Sequence, residues 1–123
     1  MSCSDETQTN LKFSPGVSFK REVQLKGSDG EPVDLTGCII KMQVRERLRS
    51  PLILIELSTN NDRIVITDAL NGIFEIVLEG VDLEQIDKSG VYDLEVSFPD
   101  GTVVPKVLKG NFILDLTVTR REP

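Results

Sequence analysis

The chain has 123 residues, 39% of them hydrophobic and 28% charged, with 14 Lys and Arg against 20 Asp and Glu and a formal net charge of -6. This composition suits one globular domain with one core and excludes a disordered chain. The acidic balance and the lack of Trp exclude a basic phosphate-binding footprint or a stacking platform for single strands as the main function.

In chain order, Met1 to Asn10 is polar and aperiodic. It reads as the body of a flexible arm whose boundary is set at residue 15, ahead of a domain spanning 16–120 and a tail spanning 121–123. It has neither a basic n-region nor an apolar h-region, so no signal peptide is expected and synthesis is expected in the cytoplasm. Val17 to Leu25 predicts a half-buried strand, with Val17, Phe19, Val23 and Leu25 on the apolar row and Arg21 interrupting it. Ser28-Asp29-Gly30 is a turn, and Pro32 fits its exit. Asp34-Leu35-Thr36 is a short extended step, and Gly37 marks a bend or bulge.

Cys38, Ile40, Met42 and Val44 alternate with Ile39, Lys41, Gln43 and Arg45, which predicts a second strand with one apolar face. Glu46 to Ser50 is a charged loop closed by Pro51. Leu52 to Leu57 is apolar enough to predict a strand buried on much of both faces, although its longest apolar run is far too short to cross a bilayer. A turn at Asn60-Asn61-Asp62, a short strand at Ile64 and Ile66, a turn from Asp68 to Gly72 and a strand through Phe74, Ile76 and Leu78 follow.

Val81 to Lys88 predicts a connecting helix of about two turns, with Asp82 as its cap and Leu83 and Ile86 on its apolar side. Tyr92, Leu94, Val96 and Phe98 give the cleanest period-two strand. Pro99-Asp100-Gly101 turns the chain into a strand from Thr102 to Leu108. Gly110 breaks that pattern before a further strand through Phe112, Leu114, Leu116 and Val118. Roughly seven to nine strands with a turn every 8–12 residues predict a β-sandwich, with a small barrel as the alternative.

Chemistry is sparse. There is no His, which removes the commonest general base and metal ligand and makes Ser-His-Asp and Cys-His arrangements impossible within the chain. Cys3 and Cys38 are not expected to pair, given a reducing compartment, and two isolated cysteines make no zinc site. Asp93, Glu95 and Glu75 are the candidates for a carboxylate pair of hydrolase type, but strand alternation alone demands polar residues at those positions. Asn60-Asn61-Asp62 and Ser28-Asp29-Gly30-Glu31 offer oxygens to calcium without the spacing of an EF-hand loop, and turn chemistry explains them. Lys41, Arg45, Arg47 and Arg49 cluster at one strand end. Ten carboxylates against Arg63 and Lys88 fill the stretch from Asp62 to Asp100, an asymmetry suited to head-to-tail packing of identical subunits or to docking on an oppositely charged neighbour.

Several motifs occur in one order. They are Phe19-Lys20-Arg21, the turn from Asp29 through Asp34-Leu35-Thr36-Gly37, Met42-Gln43-Val44-Arg45, Gly90-Val91-Tyr92-Asp93-Leu94-Glu95-Val96, Pro99-Asp100-Gly101, and Gly110 with Val118-Thr119-Arg120. In that order they resemble small β-sandwich structural proteins of tailed bacteriophages, and they are similar to the immunoglobulin-like N-terminal domain of phage baseplate upper proteins. The resemblance covers about Phe19 to Arg120 and implies an all-β, immunoglobulin-like antiparallel β-sandwich with one short connecting helix. It implies that Asp34, Leu35, Thr36 and Gly37 set a bend, that Met42, Val44, Tyr92 and Leu94 are core, and that Gly90 allows a backbone turn before the cleanest strand. It supplies no catalytic residue and no cofactor.

The expectation is therefore a non-enzymatic virion protein, an adaptor or attachment subunit in the tail, baseplate, collar or fibre region. It would act in multiple copies in a symmetric assembly with other phage virion proteins, with no nucleic acid and no membrane as partner. Arg45, Arg47, Arg49, Arg120 and Arg121 are its candidate partner contacts. The alternative is a carbohydrate-binding module for the host surface, for which Phe13 is the one aromatic outside the predicted core rows.

Overall fold

In the computed structural model, described over residues 7–8, 10–14, 16–47, 49–84, 86 and 88–114, alternation becomes two packed sheets. The strands are β1 (Thr7–Gln8), β2 (Leu11–Phe13), β3 (Phe19–Gln24), β4 (Ile39–Arg45), β5 (Ile53–Ser58), β6 (Ile64–Asp68), β7 (Ile73–Leu78), β8 (Gly90–Ser97) and β9 (Val103–Leu114). A 3-10 turn (Ala69–Asn71) links β6 to β7, and a short helix, α1 (Gly80–Glu84), precedes β8. One sheet runs β9-β8-β4-β5 with β1 and β2 on the outer side of β9, and the other runs β3-β7-β6. With β3, β7 and β6 as strands B, E and D, and β9, β8, β4 and β5 as G, F, C and C′, this is the immunoglobulin-like order of a variable-type sandwich.

The core lies where the inner rows meet. Ile40, Met42 and Val44 of β4, Tyr92, Leu94 and Val96 of β8, Phe74, Ile76 and Leu78 of β7 and Phe112 of β9 are all buried. Each such side chain contributes about 1.5–3 kcal/mol of burial free energy, so period two on these strands is enough to fix which face turns inward. Tyr92 stands near the start of β8, two residues before Leu94. In antibody domains the place of Leu94 belongs to an inter-sheet cysteine; here apolar packing fills it.

Several expectations are corrected. The arm expected over 1–15 is part of the sandwich at Leu11–Phe13, while residues 1–6, 9 and 15 lie outside those described. Leu11 and Phe13 are buried, and β2 pairs with β9 in parallel, Leu11 with Phe112 and Phe13 with Leu114. The sandwich is therefore antiparallel except along this edge. The Phe13 and Phe112 rings stand 4.3 Å apart between centroids. Val17 is 54% exposed and Arg21 is exposed, because β3 is an edge strand that starts only at Phe19. β5 is an edge strand too, so Leu52 and Ile53 face solvent while Ile55 and Leu57 face the core. β9 runs unbroken through Gly110; its irregularity comes earlier, where Leu94 pairs with Leu108 but Val96 pairs with Val104. The two extra residues fall at Pro105–Val107, where a residue without an N–H is accommodated by a bulge. The expected strand positions Leu116 and Val118 lie outside the described residues.

The helix is shorter than expected, and Asp82 sits inside it instead of capping it. From there its Oδ2 accepts the N–H of Glu79 at 3.1 Å, the backward half of a capping box. Its Oδ1 pairs with Arg63 Nη2 at 2.9 Å, and Arg63 Nη1 donates to Glu56 O at 3.0 Å. The free edge of β5 is closed from within the chain. Thr59 N–H bonds Ile40 O, so Glu56 and Ser58 turn their backbone groups away from β4. There Asn61 Oδ1 accepts Ser58 N–H at 2.9 Å while Asn61 Nδ2 donates to Glu56 O at 3.0 Å. One side-chain amide thus stands where the next strand's peptide would, a local form of edge protection.

Candidate functional site

The basic cluster resolves into one clamp and two free charges. Arg45 ends the outward row of β4, Lys41-Gln43-Arg45, and folds back on its own loop. Its Nη1 donates to Ser50 O at 2.6 Å and its Nη2 to Gln43 Oε1 at 2.8 Å. Gln43 Nε2 passes the relay on to Glu56 Oε2 at 2.7 Å, and Lys41 Nζ lies 4.0 Å from the same carboxylate. The guanidinium of Arg45, expected as a partner contact, organises the turn between β4 and β5. Ser50 N–H bonds Arg47 O, Leu52 N–H bonds Ser50 Oγ, and Glu46 lies 3.9 Å from Lys88.

On this anchored loop Arg47 and Arg49 are exposed, and among the described residues their guanidinium groups have no hydrogen bond or ion pair. Arg120 and Arg121 lie outside the described residues. Beside the loop, Gln43, Arg45, Val91, Tyr92 and Asp93 line a shallow polar cleft of about 240 Å³.

The opposite pole is built from turns. Asp34 Oδ1 accepts Thr36 N–H at 2.9 Å and Thr36 Oγ1–H at 2.6 Å, and Cys38 N–H bonds Leu35 O. These bonds, the Thr36 hydroxyl foremost, hold the Asp34 carboxyl below the usual carboxylate range. Leu35 is buried, and Gly37 has φ 75, which only glycine adopts without strain. Asp100 repeats the device: its Oδ1 accepts Thr102 N–H at 2.8 Å, and that backbone bond leads in holding its carboxyl low. Phe98, Pro99, Asp100 and Thr102 line a second cleft, of about 320 Å³.

Gly90 plays a different part from the one expected. It is the first residue of β8, with no left-handed φ, and a Cβ there would lie 2.3 Å from Arg45 O. Its place is close backbone approach, and it sets β8 against the end of β4 that carries the basic loop. Tyr92, Met42, Val44 and Leu94 are all buried. Burial pushes the Tyr92 hydroxyl up to about 12, partly offset by the Arg21 charge.

The carboxylates do not converge. Asp93 and Glu95 stand opposite Gln43 and Lys41 on β4, whereas Glu75 belongs to the other sheet, opposite Glu22 and Val65. Among the described residues no group of three or more His, Cys, Asp or Glu is placed to hold a metal ion. Asn61 is occupied by the β5 edge, and Asp29 Oδ1 by the N–H of Glu31. Phe13, the aromatic left for a sugar platform, is core. No helix among the described residues is long and apolar enough to cross a membrane. Sequence reasoning missed Asn61 and the Arg63–Asp82 link; the Asn-Asn-Asp run signalled only a turn.

No family model matches the chain, and no curated protein matches it. Among solved structures it is similar to murine CRIg, at 12% identity and a TM-score of 0.49, over 94% of this chain and 98% of that one. The immunoglobulin-like assignment rests on strand order and register.

Proposed function

We propose that this chain is a non-enzymatic structural protein of a tailed-phage virion, made in the host cytoplasm and working as an adaptor or attachment subunit in the tail, baseplate, collar or fibre region. The observation that carries the reading is the anchored loop. A sandwich holds Arg47 and Arg49 without a partner among the described residues, on a turn held by Arg45, Ser50 and the Glu46–Lys88 contact. Charged groups held ready in this way suit docking on an acidic neighbour, where they set register and encounter rate. The order of motifs from Phe19 to Arg120 supports the virion setting, and the scattered carboxylates and lack of His support the non-enzymatic part of the reading.

In this reading the domain is a spacer of fixed shape, and repeated copies in a symmetric particle turn individually weak contacts into firm attachment. Neither cofactor, nucleic acid nor membrane has a part in it. Antibodies against the purified chain are expected to label one fixed part of purified particles in immunogold microscopy. Purified particles that carry neither label nor peptides of this chain overturn the proposal.

A further inference from the structure

The two poles of the sandwich carry complementary features. β4 starts at Ile39 beside Ser97 and ends at Arg45 beside Val91. The basic loop and the Pro99–Thr102 turn therefore leave opposite ends of the same strands, about 20 Å apart at roughly 3.3 Å per residue.

At the loop pole Arg47 and Arg49 are exposed without partners among the described residues, and Leu52 beside them is 57% exposed. At the turn pole, the bend at Gly37 touches the β8–β9 turn: a Cβ on Gly37 would lie 3.0 Å from Pro99 Cγ. That contact brings the exposed carboxylates of Asp34 and Asp100 to one pole, beside the cleft lined by Phe98, Pro99, Asp100 and Thr102. Val103 and Ile39, both paired with Ser97 at this end of the sheet, are exposed as well. Each turn is closed through Oδ1, which leaves lone pairs on both carboxylates for a guanidinium.

We propose that this chain associates head to tail with a second copy of itself, the Arg47, Arg49 and Leu52 loop of one copy seated on the Asp34 and Asp100 pole of the next. The two patches differ, so the contact is heterologous and each copy offers one of each, which builds an open row or a ring. A contact this small, between copies that each carry net charge -6, is weak, in the range of about 0.1–1 mM. The inference stands apart from the virion reading, because it is read on the purified chain alone.

The test uses sedimentation velocity on the full chain and two double variants. R47E/R49E destroys the basic loop and keeps the acidic pole. D34N/D100N removes two charges while the Asn side chains keep both turns, and D100N alone replaces it if thermal melts show loss of folding. The wild-type chain is expected to form dimers and larger species as concentration approaches about 1 mM. Each variant alone is expected to stay monomeric. Their equimolar mixture is expected to give dimers and nothing larger, since each supplies one intact pole. A wild-type chain that stays monomeric overturns the proposal, as does a variant that associates like wild type or a mixture that stays monomeric while wild type associates.

Discussion

Replacing Asn61 by Ala reopens the edge of β5. The side chain makes three bonds: Oδ1 accepts Ser58 N–H at 2.9 Å and Arg63 N–H at 3.1 Å, and Nδ2 donates to Glu56 O at 3.0 Å. At about 0.5–1.5 kcal/mol each the sum is about 1.5–4.5 kcal/mol. The site is exposed and water re-pairs part of what is lost, so the expected cost is about 1–2 kcal/mol. For a domain of this size that lowers Tm by about 4–8 °C. Urea unfolding followed by circular dichroism measures it, with a lower midpoint at unchanged slope. The freed Ser58 N–H, beside a Glu56 C=O that then keeps only its Arg63 Nη1 bond, also offers a template for another strand. In an R47E/R49E background, N61A is therefore expected to associate with rising concentration where its parent does not. An N61A protein that unfolds within about 0.3 kcal/mol of its parent, and that stays monomeric in the R47E/R49E background, refutes the edge-closure argument.

Three further outcomes follow from the packing and the titrating groups. Gly90→Ala forces apart β8 and β4, because its Cβ would sit 2.3 Å from Arg45 O; the expected loss is about 1–3 kcal/mol in chemical unfolding, beyond any gain from a stiffer unfolded chain. Phe13→Ala removes a buried ring stacked near Phe112 and is expected to cost about 3–5 kcal/mol, whereas a flexible arm would tolerate it without change in melting temperature. Tyr92 is the one tyrosine in a chain without Trp, so ultraviolet absorbance titration reads it alone. It is expected to titrate near 12 instead of 10.0. Its pKa is raised on folding, so the stability it contributes is present below about pH 10 and disappears as pH rises from there to about 12. Tyr92→Phe is expected to flatten that alkaline slope, and a native titration near 10 sinks the argument.

Much of the sandwich is legible in the sequence, because β4, β7 and β8 are flanked by partners and bury one clean face; their alternation is the same signal that packing uses. The Asp-Gly turns are legible because Asx geometry is local, as Asp29–Glu31 and Asp100–Thr102 demonstrate. β2 is not, since three residues carry no period and its partner lies about a hundred positions away. β5 misleads: apolar content predicts burial, but whether a strand is central or at an edge depends on topology, and here Leu52 and Ile53 remain outside. The internal role of Arg45 is hidden for a similar reason. Charge and position near a loop are visible in one dimension, whereas its bond to Ser50 O depends on how the turn closes. Arg47 and Arg49 are the part of the cluster whose exposure a charged loop correctly suggests.

The parallel pairing along β9 also has a mechanical meaning. β1 and β2 run in the same direction as β9, with Thr7 beside Leu108 and Phe13 beside Leu114. Tension applied through the chain before Thr7 and after Leu114 pulls these strands past one another along their length. The ladder is then loaded in shear, so its bonds share the force and must fail together, and Leu11 and Phe13 must leave the core in the same event. A hairpin pulled from one end opens bond by bond; this edge does not. The first strands of the fold therefore act as a latch, and the load that releases it is set by the whole overlap with β9.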